Sequence, residues 1–327
     1  MSRRVLVTGG LGFLGASFAR ALLARGESVR VFDNGTRGSA SRLGDAAAHF
    51  EIVDGDIRDA AAVRRAVEGM DAVCHFAFIN GTRFFYERPG EVLEVGVKGI
   101  FNVVDACKAS GVGELYVASS SEVYQTPPRV PTDETVPLVV PDPHNPRYSY
   151  GGGKILSELV ALHAGDALHR VVVFRPHNVY GPAMGFEHVI PELVLRFRER
   201  TRGTSSGPVD LPVQGTGKET RAFIFVDDFT RGLLHVVDGG VHRGIYNIGT
   251  MDETAIEAVA REVAGYFGRE VRIVPGALTA GSTPRRCPDT ARLRALGFEP
   301  KVSLAEGVRA TARWYDEDAQ TKERAKA

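Results

Sequence analysis

Cysteine is scarce. The three thiols among 327 residues, Cys74, Cys107 and Cys287, are too few and too scattered for a disulfide framework or for metal-ligand spacing. Cys74 and Cys107 lie in apolar stretches and read as small buried hydrophobes. A reducing compartment is therefore expected, with the cytoplasm as the default. An excess of one charge is also missing, because 40 Lys and Arg face 40 Asp and Glu. That balance lacks the basic footprint of a general nucleic-acid binder, so no nucleic-acid partner is expected. An anionic ligand must instead be gripped by a few placed cationic or N–H groups. No apolar run approaches a membrane span, so no membrane partner is expected. The run after Met1-Ser-Arg-Arg stops at Thr8-Gly9-Gly10, short of a signal-peptide core. There is no internal repeat and no low-complexity tract. His177 and His188 have no partner at ligand spacing, so they read as pocket or loop residues and no metal is expected.

What the chain does contain is alternation. Strand patterns at 5–8, 29–33, 50–53, 72–76, 114–119 and 171–174 are separated by helix-length segments at 13–25, 59–69, 90–110 and 148–164. Short apolar strands spaced by helices imply βαβ units and a parallel sheet covered on both faces. The stretch 125–147 is rich in proline and polar residues and reads as a long ordered loop of the kind that carries function. After about residue 176 the elements shorten, separated by Gly- and Pro-rich turns at 203–217 and 275–284. The charged end, 316–327, is expected to fray.

Thr8-Gly9-Gly10-Leu11-Gly12-Phe13-Leu14-Gly15 directly follows the first strand and opens the first helix. Glycines there permit a tight turn and a close backbone approach to a pyrophosphate, whose charge then sits on helix N–H groups. Gly9, Gly12, Phe13, Leu14 and Gly15 are accordingly the candidate cofactor cradle. Asp33, beside Asn34, closes the second strand at the distance where a carboxylate accepts from adenosine ribose hydroxyls. An acid there repels a 2′-phosphate, which favours NAD over NADP, although Arg37 nearby pulls the other way. Asp56-Ile57 after the third strand suits an adenine contact or, equally, a helix N-cap region. These features predict a Rossmann-type doubly wound α/β fold with a smaller C-terminal substrate-binding lobe. Residues 1–175 would form the NAD-binding domain, with 218–249 returning to it, and 176–217 with 250–327 the lobe.

Tyr150 and Lys154 stand four apart in a helical segment and share a face. A lysine beneath a nicotinamide ribose would hold that sugar and lower the tyrosine pKa toward working pH. Gly151-Gly152-Gly153 between them should cost the helix roughly 2–3 kcal/mol against alanine, at ~1 each. That cost points to a close approach of the cofactor or a neighbouring helix. Ser119-Ser120-Ser121-Glu122 ends the fifth strand, where residues face the ligand crevice of an open sheet. A serine there would bind the reacting hydroxyl, or else satisfy local backbone groups.

Together these residues resemble the extended short-chain dehydrogenase/reductase family, the nucleotide-sugar epimerases and dehydratases, over nearly the whole chain. The resemblance includes His75-Phe76-Ala77, Ser120 before Val123-Tyr124, and Arg175-Pro176-His177-Asn178-Val179-Tyr180-Gly181-Pro182. It continues through Thr220-Arg221-Ala222-Phe223, Val226-Asp227-Asp228, Tyr246-Asn247-Ile248-Gly249, Arg286-Cys287-Pro288-Asp289 and Leu296-Gly297-Phe298-Glu299-Pro300. It implies Tyr150 as base, Lys154 as ribose anchor and Ser120 as the hydroxyl-binding partner, with Ser121 and Glu122 beside it. Phe76, Ala77 and Pro176 would complete the NAD site. Asn178, Arg221 and Arg286 would hold the diphosphate or nucleoside of a nucleotide sugar, and Thr82, Arg83 and Val189 would line the sugar or base. It also implies a homodimer through the helices near 90–110 and 148–164.

Within the family three reactions compete. A 4-epimerase needs only the serine, tyrosine and lysine, and stands first. A uronic-acid decarboxylase resembles Ser120-Ser121-Glu122-Val123-Tyr124 with Pro146-Arg147, but Asn80-Gly81-Thr82-Arg83-Phe84-Phe85-Tyr86 departs from its pattern. A 4,6-dehydratase usually carries Asp-Glu where this chain has Ser121-Glu122, and stands third. Phe78 replaces a usual alanine, Gly96 a common asparagine, and Gln125 a glycine. A non-catalytic NAD-binding regulator would be expected to lose Tyr150 or Lys154, and both are present. A reductase with exchangeable NADPH is disfavoured by Asp33.

Overall fold

The computed structural model describes residues 2–203, 206–277 and 283–324. The turn-rich stretches expected at 203–217 and 275–284 therefore lie partly outside the described residues. Six strands, β1 (Arg4–Thr8), β2 (Ser28–Asp33), β3 (Glu51–Asp54), β4 (Ala72–His75), β5 (Glu114–Ala118) and β6 (Arg170–Pro176), come first. Between them run α1 (Phe13–Ala24), α2 (Ala60–Val67), α3 (Thr82–Glu87), α4 (Pro89–Ser110) and α5 (Tyr148–Ala164). Then follow β7 (Val179–Tyr180), α6 (Val189–Thr201), β8 (Val209–Val213), β9 (Thr220–Ala222), β10 (Ile224–Phe225), α7 (Val226–Gly239) and β11 (Gly244–Ile248). The chain closes with β12 (Glu253–Ala255), α8 (Ile256–Tyr266), β13 (Val271–Pro275), β14 (Arg285–Arg286), α9 (Ala291–Ala295) and α10 (Leu304–Arg324).

The main sheet has seven strands in the order β11-β6-β5-β4-β1-β2-β3, all parallel. Alternating side chains feed two cores. Val5 and Val7 of β1 join Phe18, Phe174 and Phe229 on one face, while Leu6 joins Val73, Val103 and Leu115 on the other. Strands buried on both sides read as continuous apolar runs, which is why their pattern was visible in the sequence. Helix ends follow local chemistry. The Asp59 carboxylate caps α2 by accepting from the Ala61 and Ala62 N–H groups at 2.9 and 3.1 Å. Pro89 opens α4 and Gly111, left-handed at φ 67°, ends it.

The return of the chain to the sheet begins at 226. There α7 packs on α1, with a Ser17–Thr230 hydroxyl contact of 2.9 Å, and β11 pairs with β6. Residues 220–225 pair instead with β7, β12 and β14. A third apolar cluster, around Phe197, Leu211, Val259 and Tyr315, forms the core of the lobe. The expected fraying of the charged end is corrected over 316–324, since α10 runs to Arg324, while 325–327 lie outside the described residues. Arg198 bonds both Asp316 and Glu323, each at 2.8 Å, tying that helix to α6. Elements not anticipated include α3, a 3-10 segment at Ala40–His49 broken by Gly44, and β11 of the main sheet.

Candidate active site

Strand order reverses between β1 and β4, and at this switch point the carboxyl ends of the sheet open a cavity of about 430 Å³. Gly9 turns there at φ +68°, and a Cβ on it would stand 2.7 Å from the Ala77 nitrogen. A Cβ on Gly15 would overlap the Gly9 carbonyl. The first intrahelical bond of α1 is Ala16 N–H to Gly12 O at 2.9 Å. The N–H groups of Phe13, Leu14 and Gly15 precede it and form an anion cradle. Phe76, Ala77 and Pro176 also line this cavity. The residues present thus fit a dinucleotide pyrophosphate.

Asp33 lines the cavity with its carboxylate oriented by Leu11 and Gly35 N–H groups at 3.0 and 2.9 Å. Each oxygen keeps a lone pair for a ribose hydroxyl. Arg37, which pulled toward NADP on sequence, reaches across the cavity. Its guanidinium lies 5.0 Å from the Phe84 ring centroid and faces Gly81 and Gly185, and its buried Nη1 has no hydrogen-bond partner among the described residues. Asp56 accepts from Arg58 at 2.7 and 2.9 Å and from Asn34 at 3.2 Å. Arg58 holds its carboxyl down to about 2. Ile57 packs under Gly99, and its carbonyl accepts from Asn102 at 2.9 Å.

At the other end, α5 turns Tyr150, Lys154 and Glu158 inward on one stripe, and all three are buried. The Lys154 Nζ donates to the Ala118 carbonyl at 2.6 Å, and burial lowers its pKa to about 7. Tyr150 is raised above its ordinary range by burial, partly offset by the Ser120 hydroxyl. Desolvation is the larger of these influences on the Tyr150 hydroxyl. Ser120 caps the short turn Ser121–Val123, accepting from the Glu122 N–H at 3.2 Å, and retains its own hydrogen to donate. Ser121 is buried beside it. Ser119 donates to Glu158 and is structural.

The three glycines of α5 differ in what they approach, and Gly153 faces the neighbouring helix α4, where a Cβ would stand 3.7 Å from Leu93. Gly151 packs on the loop after β5, where a Cβ would be 2.9 Å from the Glu122 carbonyl. Gly153 packs on Phe78 at 3.0 Å, whereas Gly152 meets only Val140 at 3.5 Å.

Glu122 sits in a cationic cluster. Burial raises its pKa, but the paired Arg286 guanidinium, with Arg147 and Arg221 nearby, outweighs that and holds it below the usual carboxylate range. Burial and the neighbouring Arg286 bring Arg221 down to about 10. Three arginines against one glutamate leave this end net positive. Asn178, at φ 42°, lines the cavity and donates to the Ala222 carbonyl at 3.1 Å, and Thr82 lines it as well. Two expected contacts lie elsewhere. Arg83 is exposed and pairs with Glu87 and Glu187 at 3.6 and 3.5 Å, and Val189 begins α6 with 41% of its surface exposed.

Sequence reasoning missed the ion pair beneath the site. Arg175 forks onto Glu158 at 2.8 and 2.6 Å and donates to the Tyr124 hydroxyl at 2.6 Å. Its signal was an arginine inside an apolar strand, facing a helix that carries a glutamate four residues after Lys154. His75 and His177 are buried and held neutral, down to about 3, chiefly by burial. Among the described residues no cluster of His, Cys, Asp and Glu could hold a metal ion, and no helix is long and apolar enough to cross a membrane.

A trough that offers an anion cradle at one end and a buried tyrosine–lysine pair at the other belongs to a dinucleotide-binding α/β protein. The chain belongs to the NAD dependent epimerase/dehydratase family, whose model matches residues 5–249. It is 31% identical to a UDP-N-acetyl-alpha-D-glucosaminuronate decarboxylase of Bacillus cytotoxicus, over 97% of this chain and 99% of the relative. It is 30% identical to a UDP-glucose 4-epimerase of Mycolicibacterium smegmatis, over 97% and 100%. A dTDP-glucose 4,6-dehydratase from Streptomyces venezuelae, solved as a double mutant with NAD bound, superposes with a TM-score of 0.84. That protein is 32% identical, covering 97% of this chain and 98% of its own. The cofactor expected from Asp33, NAD, is the one named in the family's description.

Proposed function

We propose that the protein is an NAD-dependent nucleotide-sugar 4-epimerase working through a transient 4-keto sugar. The observation that carries this reading is the pairing of Tyr150 and Ser120 above buried Lys154, while the Glu122 carboxylate beside Ser120 is already tied to Arg286. Bound in the glycine cradle, NAD would supply reversible hydride acceptance at C4. Ser120 binds the C4 hydroxyl and Tyr150 takes its proton, then gives it back. Lys154 anchors the nicotinamide ribose and, once charged there, favours tyrosinate. Arg286, Arg221 and Asn178 hold the substrate diphosphate, for which arginine forks are suited. A dehydratase would need a free acid to protonate the leaving C6 hydroxyl, and an ionised Glu122 does not provide one.

A second reading, decarboxylation of a nucleotide uronate, is favoured by Arg37, whose Nη1 has no hydrogen-bond partner among the described residues and is a donor suited to a sugar carboxylate. We also infer a cytoplasmic homodimer through α4 and α5, on which Leu93, Phe101, Leu156 and Leu159 are exposed. Conversion of UDP- or dTDP-hexoses to an isomer of unchanged mass, lost in Tyr150→Phe, tests the main reading. Release of carbon dioxide from a uronate would move the assignment to the second.

A further inference from the structure

Two departures from the family pattern, Phe78 and Gly96, meet in the fold. Phe78 follows β4 and sends its ring between α4 and α5 beside the catalytic stripe. A Cβ on Gly96 would overlap the ring tip, and one on Gly153 would stand 3.0 Å from it. The notch therefore exists only because both helices carry glycine there, at a cost in helix propensity. The ring seated in it does more than fill volume. Its face lies 4.0 Å from the Lys154 Nζ. Its edge meets the Tyr150 ring at 5.2 Å and 85°, and Phe85 stacks on the same tyrosine at 4.8 Å and 15°. Tyr150 is thus held between two rings, one of which also covers the lysine. Aromatic pairs of this geometry and a cation over a ring face are both attractive.

We propose that Phe78 is a positioning residue for the proton-transfer pair, clamping the Tyr150 ring toward Ser120 and shielding Lys154 from water, with Gly96 and Gly153 as its socket. The proposal rests on the reading of Tyr150 as the proton-transfer group. A residue that merely filled the core would be replaceable by any side chains that restore the volume. Phe78 is not, because its contacts are with the two functional groups.

The test uses the full chain with selectively isotope-labelled tyrosine, the Tyr150 ring signals being identified by their loss in Tyr150→Phe. Ring flipping is slow in the native protein and faster in Phe78→Ala and in Phe78→Ala/Gly96→Ala. In turnover of UDP- and dTDP-hexoses and their uronates, Phe78→Ala loses roughly 10- to 100-fold in kcat with KM little changed, as misplacing a catalytic group does. Gly96→Ala alone lowers both Tm and kcat. The double variant, in which the added methyl partly fills the space, recovers part of the lost Tm but none of the kcat. If Phe78→Ala does not fold, Phe78→Leu carries the same comparison. Native ring dynamics in Phe78→Ala, or recovery of kcat along with Tm in the double variant, overturns the clamp. Full activity in Tyr150→Phe would instead overturn the reading beneath it.

Discussion

At the scale of single residues the chemistry rests on groups whose environments push them away from their usual behaviour. Tyr150→Phe keeps the ring between Phe78 and Phe85 but removes the hydroxyl, so turnover should fall by roughly 10²–10⁴ with the melting temperature unchanged, measured by steady-state kinetics and calorimetry. The buried ion pair behaves differently. Glu158→Gln leaves Arg175 buried without its counter-charge and should cost about 3–5 kcal/mol in denaturant unfolding. His75 and His177 set an acid limit. Folded, they bind a proton only near pH 3, whereas the unfolded reference is 6.5. The unfolded chain therefore holds more protons between those values, and stability falls as pH drops from about 6.5 toward 3. His177→Gln should flatten that slope in urea titrations at a series of pH values; an unchanged slope would remove His177 from the explanation. Tyr150, Lys154, Ser120 and the glycine cradle were legible because type and spacing reveal them. Arg147 and Arg175 were not assigned roles, because their meaning comes from what faces them across the fold.

At the scale of elements, the strands and α5 were readable because a sheet buried on both faces demands unbroken apolar runs. Short α3 and the segment at Ala40–His49 escaped notice, having too few turns to show a period. The glycine triplet of α5 shows the limit of propensity arguments. Its helix cost was visible in the sequence, but the partners that demand it were not. The structure separates the three positions. Gly152→Ala meets only an ordinary contact and should stabilise by about 0.4–1 kcal/mol by thermal unfolding. Gly151→Ala presses on the Glu122 carbonyl and should destabilise, shifting Glu122 and Ser120 with it. Equal effects at both positions would contradict this packing.

At the scale of the whole molecule, the family and sheet were legible because many motifs recur in order along the chain. The path of residues 220–225 into the lobe, and the docking of α10 on α6, depend on pairings that no local pattern encodes. The exposed apolar residues of α4 and α5 fit a four-helix contact between two copies. Leu156→Glu with Leu159→Glu should convert a dimer to a monomer by light scattering, and a native chain that is already monomeric would remove the proposal. The central claim is that hydride leaves C4 and returns to it while the rest of the sugar stays intact. Its most direct test is mass-resolved turnover of nucleotide sugars carrying deuterium at C4, uronates included. The account predicts an epimer of unchanged mass with the label retained at C4. A product that has lost carbon dioxide or water would contradict it and bring Glu122 or Arg37 into the chemistry.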